Sequence, residues 1–251
     1  MEFESWNSYS KFEHKVKHGY RYIHDSETSN FLSAIKFTLP SREKRVNVGR
    51  VFWRAQIGHD WEPIVYEGKE VGENHCPYGS TRMRPMNNGA SEGRANPKGM
   101  PYLYLANNKE TAMSEVRPWV DSYISVGQFK INRNLLLIDC SVHGSEKWPP
   151  IYEEEPSAIE KESSAWSYID IAFSKPIIDS DGEADYVPTQ ILSDLFKSKG
   201  YDGIIYKSVF SKGFNVALYD LNIADIVSCH LFQVKTLSFT FDEVANSLWF
   251  S

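Results

Sequence analysis

Gly93-Arg94-Ala95-Asn96-Pro97-Lys98-Gly99-Met100-Pro101-Tyr102-Leu103-Tyr104-Leu105-Ala106 runs directly into Asn107-Asn108-Lys109-Glu110-Thr111-Ala112-Met113-Ser114-Glu115-Val116. The run reads as a tight Gly/Pro loop carrying an arginine, then a strand over Tyr102–Ala106, then a capped helix carrying a glutamate. Alternation sends Tyr102 and Tyr104 the same way from the strand. Asn107 or Asn108 caps the helix, and Asn107 with Glu110 has the spacing of a capping box. Met113, Val116 and Val120 form its buried stripe, which leaves Glu115 at the edge beside Ala112 and Trp119. A fixed cation and a carboxylate flanking one strand suit a phosphorylated, ribose-bearing ligand. The functional reading turns on whether the two share a pocket.

Working toward the C-terminus, Val126–Ile131 and Leu135–Asp139 read as strands. Pro149–Pro156 reads as an acidic loop, and Ile159, Trp166, Ile169 and Phe173 fall on one helical face. Residues 188–200 carry a complete helix grammar, with Pro188 near the start, lysines in the last turn and Gly200 at the end. Ile204–Tyr206 and Phe214–Tyr219 then form a hairpin, and Ile226–Val234 and Leu237–Phe241 add strands. Toward the N-terminus, Val51–Ala55 is a strand with Phe52 and Arg54 on one face. Residues 58–92 read as a long irregular loop, of the kind that is functional or mobile. Residues 1–45 read as helical, with stripes at Tyr9, Phe12, Val16 and at Phe31, Leu32, Ile35, Leu39. Pro40 and the charged run 41–45 mark a boundary. The domains expected are therefore a helical extension over 1–45 and a main domain over 46–251. The fold class is mixed α+β, because strands come in clusters rather than in regular βαβ alternation.

Composition narrows the classes. The chain has 251 residues, 41% of them apolar and 14% aromatic, enough for a packed core. Its net charge of −6 argues against general nucleic-acid binding, though not against one basic pocket on an acidic body. The three cysteines are sparse and widely spaced, unlike a disulfide framework. There is no signal-peptide pattern at Met1–Trp6 and no apolar run near the roughly 20 residues of a spanning helix, so a cytoplasmic protein with no membrane role is expected. His59, His75 and Cys76 match no metal-site spacing, and the Gly-rich 89–99 segment lacks the Gly-Lys-Ser/Thr ending of a P-loop.

Four blocks, taken in order, resemble the RES domain family, named for its arginine, glutamate and serine. They are Phe52-Trp53-Arg54; Gly93–Pro97 with Tyr102–Ala106; Glu110–Val116; and Gly203-Ile204-Ile205-Tyr206-Lys207-Ser208. The resemblance covers roughly residues 46–235, within the boundary tolerance of such readings. It makes Arg54, Glu115 and Ser208 the name-giving positions. It implies an ADP-ribosyltransferase-like fold of mainly antiparallel sheets with flanking helices. It also implies a bacterial toxin that destroys NAD and is paired with an Xre-type antitoxin. NAD is then a substrate, and no prosthetic group is expected. Two departures stand out: the long 58–92 segment looks inserted, which bears on substrate access, and residues 1–45 lie outside the family core, which bears on the antitoxin contact.

Cleaving the nicotinamide–ribose bond needs a grip on the pyrophosphate, a strained ribose, and negative charge near an oxocarbenium-like carbon. Arg54 and Arg94 suit the phosphates. Asn96 belongs to the binding loop, and Tyr102 or Tyr104 suits stacking on nicotinamide while the other serves the core. Glu115 suits the ribose hydroxyls and the cation, and Ser208 the nicotinamide-ribose or the nicotinamide amide. Each has a plainer reading on its own: Arg94 on loop carbonyls, Arg54 in an ion pair, Glu115 a solvated carboxylate, Ser208 a turn residue. Two other functions fit the same residues: ADP-ribosyl transfer to a macromolecule docked by 58–92, or a non-catalytic nucleotide-binding module. The last expects exposed apolar residues along Phe12–Val16 or Phe31–Leu39.

Overall fold

The computed structural model describes residues 2–86, 89–142, 154–175 and 183–241. The helical reading of the N-terminus is met by α1 (Ser8–His18) and α2 (Ser26–Thr38). Asp25 caps α2 by accepting from the Thr28 amide. Glu43–Val46 is strand β1, paired antiparallel with β7 (Leu135–Asp139). Its exposed charges suit the sheet edge it occupies.

Residues 58–92 are largely ordered, against the expectation of an irregular loop. After β2 (Val51–Ile57), strands β3 (Asp60–Tyr66) and β4 (Lys69–Cys76) form a separate two-stranded hairpin, followed by the short helix α3 (Ser80–Met83). Glu67 and Gly68 both have positive φ, 48° and 76°, which is the backbone of a primed hairpin turn. Its strands leave no clean alternation in the sequence, because all of β3 and most of β4 are exposed.

The remaining α-helices and strands of the described residues are β5 (Leu103–Ala106), α4 (Lys109–Glu115), β6 (Tyr123–Ile131), α5 (Ala158–Ser174), α6 (Val187–Ser198), β8 (Gly203–Lys207), β9 (Phe214–Leu218) and β10 (Ala224–Gln233). Leu237–Phe241 is not a strand, and its large side chains are exposed. The acidic loop is described only from Glu154 onward. Eight strands make one sheet in the order β1-β7-β8-β9-β5-β2-β6-β10, antiparallel at every junction except β7 with β8. The mixed α+β reading therefore holds.

Helices α1, α2, α5 and α6 cover one face. Phe12, Phe31, Ile35, Trp166, Ile169, Phe173, Leu192 and Phe196 form one cluster there with Ile138, Ile204 and Ala217 of the sheet. Both N-terminal stripes are thus buried in the core of the sheet. The opposite face carries Phe52, Leu103, Leu105, Phe129, Leu137, Ile205 and Val216 in a second cluster that includes none of the α-helices α1–α6. These residues come from both halves of the sheet, which close over a shared apolar layer. The halves are joined by a single pair, Trp53 with Ala106.

Candidate active site

At that seam β2 and β5 part, and a cavity of about 320 Å³ opens between them. That lies within the size range of small-ligand sites, roughly 300–1,000 Å³. Arg54 of β2 reaches across the gap and donates from Nη1 to the Tyr104 carbonyl, 3.2 Å away. Its Nε is buried without a hydrogen-bond partner, and burial pulls the guanidinium below its ordinary pKa. Arg54 makes no ion pair among the described residues. An uncompensated cation with an orphaned donor, set in a cavity wall, calls for an anion.

Arg94 enters from the loop before β5. Asn96 is 2% exposed and holds that loop: its Nδ2 donates to the carbonyls of Ser91 and Pro97, and its Oδ1 accepts from the Tyr104 hydroxyl at 2.7 Å. The same hydroxyl accepts from the Ala95 amide, and Gln190 of α6 donates to the carbonyls of Gly93 and Asn96. Gly93 is required here, because a Cβ would come within 2.7 Å of the Tyr104 hydroxyl. The Arg94 guanidinium lies 5.9 Å from the centre of the Tyr206 ring. Tyr206 is pushed up to about 12, chiefly by burial, with Arg94 opposing. Burial drives Tyr104 higher still. Both therefore remain neutral hydrogen-bonding rings.

Helix α4 brings Glu115. Asn108, not Asn107, is its cap, accepting from the Thr111 amide; Asn107 instead accepts from the Phe214 amide. The Asn107–Glu110 capping box is therefore absent. The helix is also shorter than its periodicity predicts. Arg117 turns left-handed at φ 47° one residue past the C-cap, so Trp119 and Val120 are exposed rather than on its face. Glu115 Oε1 accepts two 2.6 Å hydrogen bonds, one from the Ser208 hydroxyl and one from the Asn215 amide.

Of the residues expected from sequence, Arg54, Arg94, Tyr104 and Glu115 line this one cavity. Three do not. Tyr102 shares a face with Tyr104 but is buried further along, its ring 5.0 Å from that of Tyr219 and 4.9 Å from the Lys197 ammonium. Asn96 spends its side chain on its own loop. Ser208 stands behind Glu115, with its hydroxyl proton committed to that carboxylate and its oxygen accepting from the Phe210 amide. Sequence reasoning missed Asn215, Tyr206, Arg117, Phe210 and Tyr186, which also line the cavity. Asn215 carried a usable signal, being a lone amide in the otherwise apolar strand Phe214–Leu218.

Among the described residues no group of three or more His, Cys, Asp or Glu side chains is placed to hold a metal ion. His59 and His75 instead pack their rings 4.4 Å apart and against Tyr123, at the base of the hairpin. No described helix is long and apolar enough to cross a membrane.

Fold and site together define a mixed α+β protein with an anion-accepting, carboxylate-bearing cleft at the seam of its sheet. The chain belongs to the RES domain family, whose model matches residues 70–242. That span holds Arg94, Glu115 and Ser208 and begins beyond Arg54. No curated protein matches the chain. Among solved structures it is similar to the crystal structure of the M. tuberculosis MbcT–MbcA toxin–antitoxin complex, with 12% identity, a TM-score of 0.41, and coverage of 78% of this chain and 91% of that one.

Proposed function

We propose that the chain binds NAD in this cavity and cleaves its nicotinamide–ribose bond. Family membership implies NAD as the substrate. The observation that carries the reading is the convergence of Glu115 with Arg54 and Arg94 on one cleft. The guanidiniums grip the pyrophosphate, which fixes the dinucleotide by its non-reacting part. Tyr104 and Tyr206 supply aromatic wall for the bases. The Glu115 carboxylate faces the ribose. As the C1′–N1 bond breaks, its electron pair leaves with nicotinamide and neutralises the pyridinium. The positive charge grows on C1′ and O4′, beside the carboxylate. Water then adds to C1′ and releases a proton, giving ADP-ribose; phosphate adding in its place gives the phosphorylated sugar.

An enzyme of this kind depletes NAD in its own cell. The toxin role and a neutralising Xre-type partner belong to the same proposal. Of the apolar residues along Phe12–Val16 and Phe31–Leu39 that a protein-contact module would expose, Phe12, Val16, Phe31, Leu32, Ile35 and Leu39 are buried and Phe37 is exposed, a balance that favours the enzymatic reading. The test is incubation of purified protein with NAD, with and without phosphate, and separation of the products. Wild-type protein releases nicotinamide, and Glu115→Gln lowers kcat by about 10²–10³-fold while folding normally. Undiminished release from a folded Glu115→Gln protein would refute the assignment.

A further inference from the structure

Among the described residues the cavity is lined by one carboxylate, Glu115, held through a single oxygen. Ser208 and Asn215 both donate to Glu115 Oε1, each at 2.6 Å, and neither donates to Oε2. The two donors differ in how they are themselves held. Ser208 sits just past the end of β8, where its amide donates to the Gly213 carbonyl. Asn215 lies within β9, in register with Tyr206 on one side and Ala106 on the other, and is 5% exposed. A side chain fixed in a central strand has few rotamers, so its amide defines a direction in space more sharply than a hydroxyl in a turn. Helix α4, by contrast, ends at Glu115 itself, where a helix frays.

From this geometry we propose that Asn215 is the positioning residue of the site, holding Glu115 by Oε1 so that Oε2 alone meets the ribose. Ser208 is its junior partner and has no contact with substrate of its own. The proposal rests on the NAD reading and deepens it. The other charged groups on the cavity are the cations Arg54, Arg94 and Arg117, which attract a carboxylate swinging free of its hold. Loss of the Asn215 donor therefore leaves the Glu115 carboxylate aimed away from C1′. Substrate grip survives, and the chemical step suffers.

The test is a double-mutant cycle over Asn215→Ala and Glu115→Gln, with Asn215→Asp beside it, each checked for folding by thermal melting. Asn215→Ala is expected to lower kcat by about 10–100-fold with KM changed less than about threefold, the pattern of an interaction made in the transition state. In the Glu115→Gln background it has no further effect on kcat. Asn215→Asp keeps shape and volume but sets a second carboxylate against the first, so it is slower than Asn215→Ala. A purely structural role reverses that order, because the isosteric side chain packs better. Additive effects on kcat, or Asn215→Asp faster than Asn215→Ala, overturn the proposal while the NAD reading stands. Wild-type protein that releases no nicotinamide overturns the NAD reading, and the role of Asn215 with it.

Discussion

Arg54 shows how a single residue is set against the stability of its own fold. Its guanidinium is largely desolvated, touches the protein through one carbonyl, and leaves Nε unpartnered. A buried charge held this poorly costs more than it returns until an anion arrives. Arg54→Met therefore melts at or above the wild-type temperature, yet loses about 10–100-fold in NAD affinity, the equivalent of one charge-assisted contact of about 1.5–3 kcal/mol. Thermal melting and NAD titration of the same preparation check both halves; a variant that melts lower and binds NAD normally would make Arg54 a structural residue. Glu115 and Arg94 were legible because they flank one strand in a run whose loop, strand and helix each announce themselves. Ser208 was legible as a neighbour of the site, but its 2.6 Å bond to Glu115 left no signal in the sequence, because a serine at a strand end reads the same with or without such a partner. Tyr102 and Tyr104 were rightly put on one face, but distance along the strand, which alternation does not measure, gives the cavity to Tyr104 alone.

At the scale of elements, the legible ones are those whose burial imprints a period. Helix α6 and strands β6 and β7 lie about where their patterns put them, since each has one side against apolar neighbours. The β3–β4 hairpin has no buried face over most of its length, so no alternation was written into it. Its base is anchored by rings, with His75 4.5 Å from Tyr123. Helix α4 fails differently: its apolar spacing runs on to Val120, but the chain turns left-handed at Arg117. A side chain in that conformation costs about 1–2 kcal/mol relative to glycine. The guanidinium carried there lines the cavity and lies 5.4 Å from the Phe210 ring. Strain at this turn is thus coupled to a cation at the site. Arg117→Gly is expected to raise the melting temperature by about 2–6 °C on that cost, and to weaken NAD binding by severalfold. A glycine variant that is less stable than wild type would show that the left-handed turn is held by the arginine side chain and not endured for it.

At the scale of the whole molecule, the N-terminal helices are wired to the cavity. Phe12 stacks on Phe31 at 4.7 Å, and both belong to the cluster that buries Trp166 and Phe196. Helix α1 packs on α5 and α6, and α6 contributes Gln190, whose two hydrogen bonds hold the Gly93 and Asn96 carbonyls beside Arg94. A path of direct contact therefore runs from residue 12 to the cationic loop, although the helices lie outside the span matched to the family. Burial of a large side chain such as Phe12 or Phe31 contributes about 1.5–3 kcal/mol, so a handful of them rivals the net stability of about 5–15 kcal/mol typical of a domain. The helices and the sheet are expected to unfold together. Phe12→Ala, which leaves a cavity in this cluster, should cost about 3–5 kcal/mol and lower the melting temperature by roughly 6–20 °C in a single transition. Intrinsic tryptophan fluorescence and far-ultraviolet circular dichroism follow that transition together, and NAD protection should shift it as a unit. Two separate transitions, the lower one alone moved by Phe12→Ala and the upper one alone moved by NAD, would instead make residues 1–45 an independent extension whose loss the active site survives.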